Sequence, residues 1–298
     1  MRKQKVLIIG GSGFLGSHVA DILSEKKYEV TIIDKNKSRW IKKEQKFIKG
    51  DILNPEKFLH ILKKNQYVYN FAAVSDITEA NDDAEKTVKI NILGLVKLLS
   101  LCVKAKVKQY FHASTIYVSG SHGGFYKSSK LSAESYVKEF YKLKGLNYSI
   151  LRFGTLYGPR SSSSNGLYSI VEKSLKKKKI IYSGNPESMR DYIHIVDAAK
   201  VCEKAIRNKE FKNKTIVISG PELFKIKDVL KIISEITGIK KVQYVAQNAI
   251  KKHTHYQVTP YSISEEKNFA MKYSDRFNVD FGQGLQNLIT ELKIKHNF

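Results

Sequence analysis

Tyr126 and Lys130 are spaced Y-x-x-x-K at the start of a segment with helical periodicity, and Thr115, preceded by Ser114, stands eleven residues before the tyrosine. At i and i+4 the phenol and the amine share one helical face. A free tyrosine, with a pKa of about 10, is a poor base at neutral pH. An ammonium about 4 Å away, at an effective dielectric of about 20, contributes on the order of 4 kcal/mol, enough to bring the phenol close to neutral. The expected chemistry is removal of a proton from a substrate hydroxyl by Tyr126 while hydride leaves the same carbon for a bound acceptor. Thr115 orients that hydroxyl. Alone, such a Tyr and Lys pair also occurs on the surface of many amphipathic helices, so its weight comes from what precedes it.

What precedes it is Val6 to Gly16, VLIIGGSGFLG, in which a buried-strand run passes directly into glycines spaced G-x-x-G-x-x-G. Gly10 permits a tight turn, Gly13 lets the backbone approach a pyrophosphate, and Gly16 lets the next helix pack against the strand. A helix beginning near Phe14 then offers free N–H groups and the positive end of its dipole to an anion. A second apolar run, Glu29 to Ile33, ends in Asp34, eighteen residues past Gly16, placed to accept hydrogen bonds from adenosine ribose hydroxyls. A carboxylate there repels a 2′-phosphate, so NAD is favoured over NADP. Lys35, Lys37 and Arg39 follow and would partly offset the repulsion.

To hold these residues the chain must alternate strands and helices. Strand-like runs fall at residues 5–9, 29–33, 46–48, 67–71, 109–113 and 148–151, with helical patterns at 14–25, 56–63, 85–104 and 128–144 between them. That alternation specifies an α/β fold, a Rossmann-type doubly wound parallel sheet. After Tyr157-Gly-Pro-Arg160 the pattern changes to a serine-rich loop (Ser161 to Ser164), a helix, a lysine run and short mixed elements. The expected organisation is an NAD-binding domain over 1–155, with roughly 190–220 returning to it. A smaller substrate-binding cap, 156–189 and 221–298, closes over the carboxyl ends of the strands, where ligands bind in such sheets.

The 298 residues carry 52 lysines and arginines against 28 acidic residues, a formal charge of +24. Only seven of the 52 are arginines, and a lysine excess spread along the whole chain reads as a solvated surface rather than a nucleic-acid face, since bidentate phosphate and base recognition favours Arg. Lys176 to Lys179 read as the charged end of a helix. Cys102 and Cys202 sit in apolar helical patterns without metal-ligand spacing, so they are core residues, with no disulfide framework and no metal site expected. No uncharged apolar run reaches the roughly 18 residues needed to span a bilayer, and the broken apolar stretch at the N-terminus is not read as a targeting segment. The expectation is a cytoplasmic protein with neither membrane nor nucleic-acid partner.

Together these motifs resemble an extended short-chain dehydrogenase/reductase of the NAD-dependent epimerase/dehydratase family, which acts on nucleotide sugars, and the likeness covers nearly the whole chain. Gly50-Asp51-Ile52 resembles the family's adenine-contacting segment, Phe71-Ala72-Ala73 the strand end beside the cofactor ribose, and Asn91-Ile-Leu-Gly94 its N-x-x-G helix. Ser114 to Gly120 resembles its S-[ST]-x-x-V-Y-G loop, Leu151 to Arg160 its L-R-Y-x-N-V-Y-G-P-R segment, and Arg190-Asp-Tyr-Ile-His194 its R-D-[FY]-[IV]-H segment. The resemblance implies that Gly10, Gly13, Phe14, Gly16, Asp34, Asp51, Ile52, Phe71, Ala72, Ala73, Asn91, Tyr126, Lys130 and Phe153 bind NAD. It likewise implies that Ser75, Thr115, Thr155 and Arg190 bind a nucleotide diphosphate sugar, Arg190 at the diphosphate, and that the chain forms a homodimer through the helices after Glu85 and Ser128.

Several positions depart from the pattern. The family's sugar 4,6-dehydratases carry Asp-Glu directly after the catalytic Thr, where this chain has Ile116 and Tyr117, so dehydration is not expected. Thr155 replaces the family's Asn, Ser119 replaces a tyrosine, and the loop from Gly120 to Tyr126 is short. His194 is expected to pack or bond to backbone rather than act as a base. Arg152 and Arg160 are equally suited to structural ion pairs and to phosphate, and Tyr157 to the nicotinamide pocket and to the core. The implied activity is oxidation of a ring hydroxyl, C4 foremost, ending in epimerisation or net dehydrogenation. A 4-keto sugar reductase and a non-catalytic NAD-binding module remain as alternatives.

Overall fold

The computed structural model describes residues 3–245 and 270–297. Its first half runs β1 (Lys5–Ile9), α1 (Phe14–Glu25), β2 (Glu29–Asp34), β3 (Lys46–Lys49), α2 (Leu59–Leu62), β4 (Tyr67–Asn70), α3 (Ile77–Asp82), α4 (Ala84–Val88), α5 (Leu95–Lys104), β5 (Gln109–Thr115), α6 (Gly124–Lys144) and β6 (Tyr148–Phe153). Then come β7 (Thr155–Tyr157), α7 (Gly166–Lys177), β8 (Ile180–Ser183), β9 (Met189–Arg190), β10 (Tyr192–His194), α8 (Ile195–Arg207) and β11 (Lys214–Ile218). The chain closes with β12 (Phe224–Lys225), α9 (Ile226–Thr237), β13 (Val242–Val245), β14 (Met271–Lys272) and α10 (Phe281–His296).

Eight strands form one sheet in the order β14-β11-β6-β5-β4-β1-β2-β3, and every pairing in it is parallel. A parallel sheet is covered on both faces, which is why β1 reads as an unbroken apolar run and why Val6, Leu7 and Ile8 are fully buried. On one face α1 and α8 pack through Val19, Leu23, Ala198 and Cys202; on the other, α5 and α6 pack through Leu95, Leu98, Cys102, Ala133 and Val137. Strand order reverses between β1 and β4. At that switch point the carboxyl ends diverge and leave a crevice.

Every strand and helix anticipated in the first 153 residues is present. α6 begins four residues before the expected Ser128, because Gly123 and Gly124, both at positive φ, turn the chain into it and Phe125 N donates to Asn81 Oδ1. The long helix expected over 85–104 is interrupted by a π turn at Lys89–Gly94. Residues 156–189 build the cap core with α9 and α10, through Leu167, Val171, Ile180, Leu230, Leu285 and Leu288. α8 packs on the sheet and β11 pairs with β6. β14 pairs with β11 at the sheet edge. Tyr273 and Phe277 pack against the sheet's core, which explains the placement.

Candidate active site

The glycine turn after β1 is built for a close approach. Gly10 has φ +78°, and a Cβ on it would lie 2.5 Å from Ala72 N; a Cβ on Gly16 would lie 2.3 Å from Gly10 O. No side chain therefore fits between this turn, the end of β4 and the first turn of α1. Gly13 caps α1 without a side-chain hydrogen bond, leaving the helix's first N–H groups for an anion. These residues open into a crevice of about 1390 Å³, larger than the roughly 300–1,000 Å³ of common ligand sites.

Gly10, Gly13, Phe14, Gly16, Asp34, Ile52, Phe71, Ala72, Ala73 and Phe153 all line this crevice, as do Ser75, Thr115, Tyr126, Lys130, Thr155 and Arg190. Asp34 Oδ2 accepts from Ser12 N at 3.0 Å and Oδ1 from Asn36 N at 3.2 Å, which orients the carboxylate at the end of β2. Two of the cations expected to offset its charge are turned elsewhere. Lys35 Nζ pairs with Asp51 at 3.0 Å, and the Arg39 guanidinium lies 4.3 Å from the centre of the Trp40 ring.

Asp51 and Asn91 are not among the crevice-lining residues. Asp51 pairs with Lys35 and accepts from Leu53 N. Asn91, carried inward on the π turn, accepts from Val74 N at 2.8 Å and donates to Val74 O at 3.1 Å and to Ser129 Oγ at 2.9 Å. Its amide therefore braces the segment after β4 against α6. Such π turns recur at functional sites because they re-aim one side chain. Arg152 and Arg160 settle as ion pairs, with Glu134 at 2.8 Å and Asp21 at 2.6 Å. Tyr157 is core, 1% exposed and packed on Tyr192, His194 and Phe281. His194 packs edge-on against it. Cys102 and Cys202 are buried free thiols, and among the described residues no group of His, Cys, Asp or Glu could hold a metal ion.

Thr115 ends β5 and Tyr126 lies in the first turn of α6, and both line the crevice, with the Thr115 hydroxyl acting on the phenol to favour its ionised form. Thr115 Oγ1 also accepts from Tyr117 N at 3.3 Å, which fixes its rotamer. Lys130 is 6% exposed, and its Nζ donates to Ala113 O at 3.0 Å. The structure corrects the electrostatics expected of this trio. Burial pushes the Tyr126 phenol up to about 12, with the Thr115 hydroxyl opposing. The ammonium lies 6.0 Å from the centre of the phenol ring, aimed at a carbonyl. Burial also lowers the Lys130 pKa to about 8, against the field of Glu134. In the unliganded protein, desolvation outweighs the neighbouring charge.

Sequence reading missed part of the cap's contribution. Tyr117, Ser162 to Ser164, Asn165, Lys173 and Tyr182 also line the crevice, beside Arg190. The serine loop was visible as a loop, but which of its side chains turn inward depends on how α7 docks. Residues 6–219 match a known family, described as "NAD dependent epimerase/dehydratase family". The chain belongs to that family. It is 28% identical over 257 residues to a putative UDP-glucose 4-epimerase of Methanocaldococcus jannaschii, covering 79% of this chain and 83% of that protein. A dTDP-D-glucose 4,6-dehydratase of Dictyostelium discoideum is 28% identical over 268 residues, covering 78% of this chain and 62% of that protein. Among solved structures, a UDP-N-acetylglucosamine 4-epimerase from Methanobrevibacter ruminantium in complex with UDP-N-acetylmuramic acid superposes with a TM-score of 0.84 at 22% identity, covering 99% of this chain and all of that one. The family's enzymes therefore share this parallel-sheet architecture and its cofactor, NAD.

Proposed function

We propose that the protein oxidises the C4 hydroxyl of a nucleotide diphosphate sugar at this site and returns the hydride to the opposite face, a 4-epimerisation. The observation that carries the reading is the convergence of Thr115, Tyr126 and buried Lys130 on the wall of the crevice that the glycine turn opens. NAD fits the residues present: a cradle that a Cβ would fill, an uncapped helix N-terminus and an oriented carboxylate at the end of β2. Gly10, Gly13 and Gly16 would take the pyrophosphate, Asp34 the adenosine ribose and Lys130 the nicotinamide ribose. When bound, NAD supplies the acceptor and donor of hydride.

The chain's own residues do the rest. Tyr126 Oη takes the proton of the C4 hydroxyl while Thr115 Oγ1 holds that hydroxyl in line. Lys130, kept positive, stabilises the phenolate as it forms and offsets the desolvation that holds the free phenol near 12. In the reverse sense Tyr126 returns the proton to the 4-keto oxygen. Arg190, with Lys173 on the same crevice, offers positive charge to the diphosphate. Ile116 and Tyr117 occupy the place where an elimination would need an acid and a base. The 4-epimerases among the relatives support this outcome, and the argument against dehydration rests on Ile116 and Tyr117, since a dehydratase is equally identical to this chain.

Purified protein incubated with UDP-glucose, UDP-N-acetylglucosamine and UDP-glucuronic acid tests the reading. Inversion at C4, read by proton NMR without accumulation of NADH absorbance, is the expected result. Sustained NADH production makes the enzyme a net dehydrogenase, and appearance of a 4-keto-6-deoxy sugar would overturn the argument from Ile116 and Tyr117.

A further inference from the structure

Beneath the proposed site lies a buried charge pair that touches neither crevice nor solvent. α6 carries Tyr126, Lys130 and Glu134 at successive i+4 positions, and Lys130 and Glu134 are both buried. Glu134 is 1% exposed and Arg152 on β6 is 4% exposed. Arg152 Nη2 donates to Glu134 Oε2 at 2.8 Å and Nε to Oε1 at 2.9 Å, while Ser114 Oγ donates to Oε1 at 2.6 Å. Arg152 Nη1 reaches Ser119 Oγ at 3.1 Å. The segment carrying Thr115 and Tyr117 is thus tied at its beginning by Ser114 and at its end by Ser119 to one guanidinium–carboxylate pair.

A buried ion pair is a poor device for stability alone, because apolar residues of similar volume serve as well or better. Its place beside Lys130 gives it another use. We propose that Glu134, clamped by Arg152 and Ser114, is a positioning residue that keeps the Lys130 amine positive and holds Thr115 at the end of β5 in register with Tyr126. Burial works against the charge on Lys130, and the carboxylate whose field opposes that loss is Glu134. The other titratable groups facing Lys130 do not supply a negative charge: Tyr126 on α6 and His112 on β5 are both held neutral by burial, and Arg152 on β6 is itself a cation. Glu134 does not line the crevice, so it acts through Lys130 and Ser114. The inference rests on the proposed roles of Tyr126, Lys130 and Thr115.

The test is the titration of Lys130 in the unliganded protein, followed by NMR of ¹³C-labelled lysine and assigned with Lys130→Met. The native midpoint is expected near 8, falling by about one pH unit in Glu134→Gln, where the acceptor shape remains and the charge is gone. A fall from about 8 to about 7 cuts the protonated fraction at pH 8 from about one half to about one eleventh, so kcat/KM drops about fivefold at pH 8 and hardly at all at pH 6. Glu134→Asp, which keeps the charge, is expected to restore most of the activity at pH 8. Should Glu134→Gln fail to fold because Arg152 is left unpaired, Glu134→Gln/Arg152→Gln removes both charges; a smaller fall of the Lys130 midpoint is then expected, because the Arg152 cation goes with the carboxylate, and no fall overturns the proposal. An unchanged Lys130 midpoint in a folded variant, or equal losses at both pH values, overturns the proposal and leaves the pair a structural one. If the native protein turns over no nucleotide sugar, the proposed reaction fails while the titration comparison still decides this inference.

Discussion

At the scale of single residues, chemistry at this site is a contest between burial and charge. Tyr126 sits near 12 without ligand, so any base strength at working pH has to come from Lys130 and from what binds beside it. Tyr126→Phe keeps the packing and removes the proton acceptor. Turnover is expected to fall by about 10²–10⁴-fold with NAD affinity unchanged, measured by steady-state rates and calorimetric titration; an unaltered rate would remove Tyr126 from the mechanism. Asp34 belongs to the same scale. With Lys35 turned to Asp51 and Arg39 stacked on Trp40, its carboxylate faces the ribose site with little offset. Asp34→Ser is expected to shift the NAD to NADP affinity ratio toward NADP by about tenfold or more; a ratio that does not move means the selectivity lies elsewhere. The trio and the glycines were legible from spacing because each has a local backbone or helical-face requirement. The state of Tyr126 was not, since desolvation depends on residues distant in sequence that close the crevice around it.

Elements carry the next layer, and here the sequence spoke for strands and helices but not for their seams. Periodicity marks β1, α1 and α5 because each presents one face to one core. It gives no sign that Asn91 turns inward on a π turn to brace Val74, or that Asn81 on α3 catches the start of α6, because both depend on side chains meeting across elements. The Glu134 pairing gave no such sign either, because its partner Arg152 lies on another element. Another seam joins α1 to the turn after β7, where His18 Nε2 donates to Pro159 O at 3.0 Å. Burial lowers the His18 pKa to about 4 from an ordinary 6.5. The unfolded chain therefore binds more protons between those values, so the stability held by neutral His18 is complete above about 6.5 and is lost as pH falls toward 4. At pH 5 the loss amounts to about 2 kcal/mol. Urea unfolding at pH 7 and pH 5 should show His18→Gln losing less stability over that interval than the native protein by about that amount; equal losses would mean His18 is not held neutral.

At the scale of the whole molecule, the crevice is lined both by the sheet, which has an apolar core on each face, and by the cap, which has its own. The lysine excess does not concentrate on that crevice, whose lining cations include Lys35, Lys130, Lys173 and Arg190. What the surface does concentrate is apolar area on the helices beside the site. Val88 and Leu93, before α5, and Phe125, Leu131 and Tyr136, on α6, are each 45% exposed or more. Exposed apolar side chains on neighbouring helices suit association, and two copies packing these helices against their counterparts would bury them as a four-helix seam. We expect a homodimer. Light scattering on the native protein should give twice the 34.0 kDa chain mass. A charge placed on the face, Leu93→Glu with Leu131→Glu, should return the single-chain mass while circular dichroism stays native. Because α6 carries Tyr126 and Lys130 from one edge of that seam, its melting temperature should fall in the monomeric variant. A native protein already monomeric at micromolar concentration would leave these side chains exposed and the seam without a function.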